Sequence, residues 1–336
     1  MTTCRSGFSV RGSNSLAITV CTASLLALYT SFDPVPAGEE LNNDKVTAAA
    51  EVAANFVIQD EVPLPPDANV TPSDRKIEIN EPADETPELR TNAGVVLSDM
   101  EAIQFMVYLL RDGMQQLENV NHYQALFTKQ ERINGDLTGS QTIEMKVQHS
   151  PAFSVYMKWK NGDAGRQVLY SDQYEDGQMV VKLGGLKGRL LPAIKLDPKG
   201  ERAMSESRYP VTEAGLLGMI KQIVHHREND LKRGYGVRCR RLPNQEFDNH
   251  DCMCFSFEYE NSEAHPTYRK SIILVDSRRH LPLMARNFTW ATDAEGMSPD
   301  ELDEMTLIEN YSFTSVNFDA ELVAEDFSRE NRKYRM

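Results

Sequence analysis

Between residues 123 and 170 apolar and polar side chains take turns with a period of two, and this pattern restricts the chain to an antiparallel sheet with one apolar face. Phe153, Val155, Met157 and Trp159 form one file, and Ser154, Tyr156, Lys158 and Lys160 form the other. Ile143, Met145 and Val147 are set against Glu144, Lys146 and Gln148 in the same way. Turn signals divide the stretch into four consecutive strands. An apolar wall of this breadth must be covered by helices, by a partner or by a ligand, because it is unstable in water.

The alternation returns further along. Residues 179–185 and 188–196 read as two more strands joined by a glycine-dense turn at 184–188, and further strands are expected around 237–242, 251–260, 268–276, 283–290 and 307–316. Met253, Phe255, Phe257 and Tyr259 make one file; Leu307, Tyr311 and Phe313 make another, which Glu309 interrupts. Two helices are expected. The first opens at Ser98, whose spacing to Glu101 is that of a capping box, and buries Ile103, Met106, Val107, Leu110, Met114 and Leu117. The second begins at Thr212 and buries Leu216, Leu217, Ile220, Ile223, Val224 and Leu231. The expected fold class is α+β: a strongly curved antiparallel sheet, a half-barrel of about ten or eleven strands, with two long helices on its concave side. The last seventeen or so residues are expected to form a short helical turn and an irregular tail.

The chain has 336 residues, but the first hundred do not read as globular. Residues 1–15 hold Arg5, Arg11 and no acid, and an apolar run follows over 16–32, so residues 1–32 are expected to be a signal peptide or a retained membrane anchor. A cut after Ala37 is weakened by Pro36, so the segment engages signal peptidase or tethers the protein to the inner membrane. Either way the remainder is exported to the periplasm or cell envelope. Residues 33–96 are expected to be an acidic, Pro-rich linker, with a lone helix possible over 45–58. Residues 97–336 form the domain. Net charge is −14, and from 32 to 94 there are fourteen acids against four bases. No basic surface is evident, which excludes nucleic acid as a partner. Oligomeric state is not legible.

Chemical signatures are few. There is no nucleophile elbow, zincin motif or dinucleotide turn, so no catalytic residue, metal ligand or cofactor is assigned and an enzyme is not expected. Lys187 in the glycine-dense turn matches no phosphate loop. His225, His226 and Glu228 read as a solvated helix face. Lys129 and Glu131 share the strand face of Tyr123 and Phe127, where they form a buried ion pair or a polar anchor for a ligand head group, with catalysis the least favoured of three readings. Cys239 and Cys252 lie about equally far from the middle of the expected hairpin at 242–251, a placement that allows a disulfide; small buried thiols are the alternative.

The blocks YQALFTKQERINGDLTGSQTIEMKVQHSPAFSVYMKWKNGDAGRQVLY, AMSESRYPVTEAGLL and LIENYSFTSVNFDAELVAEDFSRENRKY resemble a bacterial domain-of-unknown-function family abundant in planctomycetes, over residues 97–336. Gln167, where an acid would be expected, and the closing Met336 depart from the pattern. The resemblance implies an architecture similar to periplasmic lipoprotein carriers (LolA-like) and mycobacterial lipid-binding lipoproteins, a half-barrel around a hydrophobic cavity. The expected ligand is then a lipid or a lipoprotein acyl chain; the alternative is a structural or protein-interaction domain of the envelope. Cavity walls are expected from Met106, Tyr123, Phe127, Met145, Phe153, Met157, Trp159, Ile220, Phe255, Phe257 and Tyr311, with methionines suiting a flexible ligand.

Overall fold

The computed structural model describes residues 97–336. The expected signal or anchor, linker and lone helix lie outside the described residues. Among the described residues no helix is long and apolar enough to cross a membrane.

Twelve strands form an open antiparallel sheet. In chain order they are β1 (His122–Ile133), β2 (Asp136–Leu137), β3 (Gln141–Gln148), β4 (Ser154–Trp159), β5 (Gln167–Ser171), β6 (Met179–Lys182), β7 (Ile194–Leu196), β8 (Val237–Phe247), β9 (His250–Tyr259), β10 (Lys270–Asp276), β11 (Pro282–Phe288) and β12 (Leu307–Asn317). Their spatial order is 7-6-5-4-3-1-12-11-10-9-8, with β2 paired to β1. Two meanders therefore meet at the centre, where β1 pairs β12 and brings Glu131 opposite Glu309. Register follows the pattern in the sequence: Met145 faces Met157 and Val147 faces Val155, so like files stand side by side.

Helix α1 (Asp99–Glu118) starts at the expected capping box, with the Ser98 N–H donating to Glu101 Oε2 at 2.8 Å and the Glu101 N–H returning to Ser98 Oγ. Its apolar stripe is buried, Met114 partly so. The second long helix, α4 (Gly215–Arg233), starts three residues later than expected, because residues 211–213 form a 3₁₀ turn first. No side chain caps it locally; instead the Leu216 N–H donates to the Tyr123 hydroxyl at 2.8 Å. Gly215 has φ +89°, and a Cβ there would stand 2.6 Å from that hydroxyl, so glycine is what lets strand and helix meet. Both helices share one core with the inward files of the sheet.

Residues 188–196 do not form the expected strand. Gly185–Leu190 is a short helix, α2, and β7 is confined to Ile194–Leu196. Leu186, Leu190 and Leu191 fall at helical spacing, and alternation is absent there. Gly184 has a positional role too: a Cβ would meet the Asp163 carbonyl at 2.6 Å, and the Gly185 N–H donates to the Ala164 carbonyl. Two further short helices are α3 (Glu201–Met204) and α5 (Pro299–Thr306).

The other face of the sheet is also covered. Cys252, Cys254, Leu274, Met284 and Phe288 form a second cluster. The C-terminal tail, though irregular, docks on a third: the Tyr334 ring stacks on Tyr156 at 3.8 Å and 8°, and Lys146 pairs with Asp326 at 2.6 Å.

Candidate functional site

Between the sheet and the segment that runs from β7 into α4 lies a cavity of about 520 Å³. Strand order gives its walls two characters. On the β4–β7 side stand Met157, Val168, Met179, Val181, Ile194 and Leu196, with Met219 and Ile223 of α4 above them. On the β1–β12–β11 side stand Lys129, Glu131, Glu309, Tyr311 and Asn287, joined by Tyr209 and Tyr268. One end is a mainly apolar trough that also meets the Arg166–Glu206 ion pair at 2.6 Å, and the other a tightly bonded polar wall.

Each carboxylate in that wall is nearly without solvent access and is held by several donors. Glu309, 1 % exposed, accepts from Arg208 Nε at 2.6 Å, the Tyr268 hydroxyl at 2.7 Å, the Tyr209 hydroxyl at 3.2 Å and Asn287 Nδ2 at 2.6 Å. Glu131, 2 % exposed, accepts from Lys129 Nζ at 2.9 Å and the Tyr311 hydroxyl at 2.6 Å. Two acids face two bases, Lys129 and Arg208, so the wall is balanced in charge, as burial requires. Burial works against the charge of Arg208, but the adjacent Glu309 overrides it and raises that pKa. Burial, then Glu309, raises the pKa of Tyr209 and of Tyr268; Tyr311 is raised by burial and by both carboxylates. The three phenols therefore keep their protons and act as donors near neutral pH.

His226 also lines the cavity and is paired with His265. The Tyr268 N–H donates to His265 Nδ1 at 2.9 Å, which leaves the proton on Nε2, 3.4 Å from His226 Nδ1. Burial, then the neighbouring Arg227 charge and the other two rings, hold His226 down to about 3. Burial followed by Arg227 and Arg233 holds His265 at about 4. Both rings are neutral at physiological pH. The expected solvated face thus holds for His225 and, in part, for Glu228, which pairs with Arg111 at 2.7 Å, but not for His226. His226 turns inward because it sits one position beyond His225, about 100° round the helix. Among the described residues no three His, Cys, Asp or Glu side chains are placed to hold a metal ion.

Of the expected cavity residues, Phe127, Met157, Trp159 and Tyr311 stand at the cavity, as do Lys129 and Glu131. Phe127 stacks with Tyr311 and Phe313 at 5.9 and 4.9 Å, and Trp159 donates from Nε1 to Gln141 at 3.0 Å. Met106, Tyr123, Met145, Phe153, Ile220, Phe255 and Phe257 stand elsewhere. Met106, Met145, Ile220, Phe255 and Phe257 are fully buried in solid core beneath α1 and α4, Phe153 leans on Tyr170, and the Tyr123 hydroxyl is occupied by Leu216. Alternation in the strands and helical spacing at Met106 and Ile220 put them on the core side; neither pattern says what stands above each one.

The expected disulfide is also corrected. The turn of the β8–β9 hairpin lies at Asp248–Asn249, later than assumed, and the register shifts between Leu242 and Gln245, so Cys239 faces Phe257 while Cys252 faces Gln245. The two thiols belong to different clusters and are free. Five ladder steps separate them, roughly 17 Å, more than twice the reach of a disulfide.

The residues that sequence reasoning missed are Arg208, Tyr209, Tyr268, Asn287 and His265. Glu309 was visible only as a break in an apolar file. Paired with Glu131, itself on an inward file, it was the available signal.

Comparison with curated proteins gives no match. Among solved structures the chain is similar to the Mycobacterium tuberculosis lipoprotein LppX, at 12% identity over 65% of this chain and 96% of that one, with a TM-score of 0.34. It is similar to a LolA superfamily protein from Nitrosomonas europaea, at 8% identity over 70% and 99%, with a TM-score of 0.28. It is similar also to a chain of the Pseudomonas aeruginosa MucA/MucB complex, at 14% identity over 68% and 60%, with a TM-score of 0.37. None of these carries a ligand or a partner across to this chain. Residues 120–336, the whole sheet from just before β1 to the C-terminal tail, match the family described as a protein of unknown function (DUF1571), and the chain belongs to that family.

Proposed function

We propose that this is an exported binding protein for an amphiphile, a lipid or the acyl chain of a lipoprotein, and not an enzyme. The sheet is read as a half-barrel with α1 and α4 on its concave side, the apolar tail lies along the β4–β7 trough, and the head group meets the polar wall of β1, β12 and β11. The observation that carries this reading is the two-sided cavity. Its volume of about 520 Å³ falls in the range of small-molecule sites, roughly 300–1,000 Å³. Its apolar wall includes Met157, Met179 and Met219, side chains that adapt to a flexible ligand.

Lys129, Glu131, Arg208 and Glu309 are the proposed polar anchor. Their charges already compensate one another, which favours a neutral or zwitterionic head group over a bare anion. Hydrogen-bonded phenols, not a nucleophile and its base, surround the carboxylates, and this favours holding over turnover. Export is proposed from the basic flank and apolar run of residues 1–32, and residues 33–96 would let the domain range away from the membrane surface.

The test uses the full-length protein in mild detergent. Native mass spectrometry with organic extraction should recover bound lipid, and a fluorescent fatty-acyl probe should bind. A double variant that fills the trough, Val181→Phe with Met219→Phe, should weaken probe binding at least about tenfold. Repeated recovery of empty protein that also fails to take up the probe, or equal binding by the filled variant, would end the proposal.

A further inference from the structure

The segment between β6 and α3 carries an apolar surface that none of the described residues covers. Leu186 is 70 % exposed, Leu190 75 % and Leu191 52 %. They lie together on and just after α2, whereas isolated exposed leucines are commonplace. The same segment departs from the charge of the rest of the domain. Residues 182–202 contain six bases and two acids, a net +4, within a chain of net −14. Lys195 pairs with Glu175 at 2.5 Å, and the surplus survives that pairing. The position of the segment is fixed by Gly184 and Gly185 against the 163–164 turn. It is also continuous with the cavity, because Leu183, Ile194, Leu196 and Arg202 line it.

We propose that residues 182–202 dock the domain on an anionic bilayer surface, with Leu186, Leu190 and Leu191 entering the interface and the bases lying over acidic head groups. Exposed leucines beside an excess of lysine and arginine are the composition of an interfacial membrane contact. Charge and apolarity together select this occupant: residues 227–241 hold as large a surplus, six bases against two acids, but there Tyr235 alone is an exposed large apolar side chain, whereas here three leucines stand beside the charge. Docking here would present the cavity end nearest β7 to the lipid. The inference concerns the surface and stands apart from whatever occupies the cavity.

The apolar run at 16–32 could bring the full chain to any bilayer, so the readout must sit in the segment itself. Cys4 and Cys21 are replaced by serine, Leu190→Cys is labelled with an environment-sensitive nitrobenzoxadiazole dye, and the full chain is presented to vesicles. A matched label at Tyr235→Cys, on the exposed turn before the opposite edge strand β8, serves as the control. The expected result is a blue shift and brightening of the dye at 190, not at 235, when phosphatidylglycerol is added to phosphatidylcholine vesicles. The shift should be lost at high salt and in the Leu186→Asp/Leu191→Asp protein, whose far-UV spectrum should be unchanged. No shift at 190 on the anionic vesicles, an equal shift on phosphatidylcholine alone, or an equal shift at 235 would each overturn the proposal.

Discussion

One face of one sheet is solid over β8–β10 and hollow over β4–β7. In the solid half, α1 packs against β8 and α4 and sets Phe105, Met106, Leu109 and Leu110 into the same core as Val237, Phe255, Phe257 and Val275. Phe105 and Phe255 lie 6.5 Å apart, and the Arg227 guanidinium stands 3.8 Å over Phe257. In the hollow half the covering residues mix small side chains, Ala203, Ala214, Gly215 and Gly218, with Val211, Met219 and Ile223. Large side chains face large ones on one side, while on the other small residues interrupt the lid, and volume is left over. An alternating strand pattern settles which way a side chain points; how far the opposing element stands off settles whether it packs or lines a cavity.

Truncation should separate the two halves most sharply. Phe257→Ala removes a fully buried ring that also supports Arg227, and should lower unfolding free energy by about 3–5 kcal/mol in urea melts. Met157→Ala, at the cavity wall, should cost well under that, because the space it opens joins space already present. Equal losses at the two positions would mean that the trough is as tightly filled as the core.

Enlargement reverses the contrast. Val275→Phe in the solid half should cost about 1–3 kcal/mol through overpacking. Val168→Phe points into the cavity and should leave stability within about 1 kcal/mol of the parent while reducing fatty-acyl probe binding. A Val168→Phe protein as damaged as Val275→Phe would erase the distinction.

Much of this geometry could be read beforehand. The Ser98–Glu101 cap, the stripe of α1 and the apolar files that hold Met145 and Met157 follow from local spacing, which is why those expectations held. The polar wall could not be read in the same way. Glu131 and Glu309 meet only because the two meanders join at β1 and β12, and His226 meets His265 only because the loop before β10 folds back on α4. Contacts between residues so distant in sequence leave no periodicity behind. The disulfide expectation failed on a smaller scale, since one register shift in β8 moved Cys239 past its imagined partner.

The histidine pair gives the hollow side a pH dependence. Both rings are held below their unfolded value of about 6.5, so the unfolded chain binds more protons than the folded one between that pH and about 3 to 4. Stability from this source is intact above pH 6.5 and is lost as pH falls toward 4, with a slope that approaches about 1.4 kcal/mol per pH unit for each ring. Urea midpoints of the parent and of His226→Gln with His265→Gln, taken from pH 7 to pH 4.5, should diverge in that direction. Parallel curves would show that the pair is solvated and not part of a closed wall.

The smallest expected effect is that of a reductant, and it belongs to the solid side. Burial raises the thiol pKa of Cys239 to about 12, and burial with the nearby Asp276 raises that of Cys252 to about 12. Neither is a thiolate at neutral pH, and the ladder holds them on opposite faces of the sheet, so neither has a route to the other while the hairpin is paired. Unfolding midpoints with and without dithiothreitol should coincide. Alkylation after denaturation without reductant should modify both residues, whereas the native protein should resist. A midpoint that falls on reduction, or a peptide in which Cys239 and Cys252 stay linked, would require β8 to slide along β9 by about five positions, and with it the entire packing of Phe255 and Phe257 beneath α1.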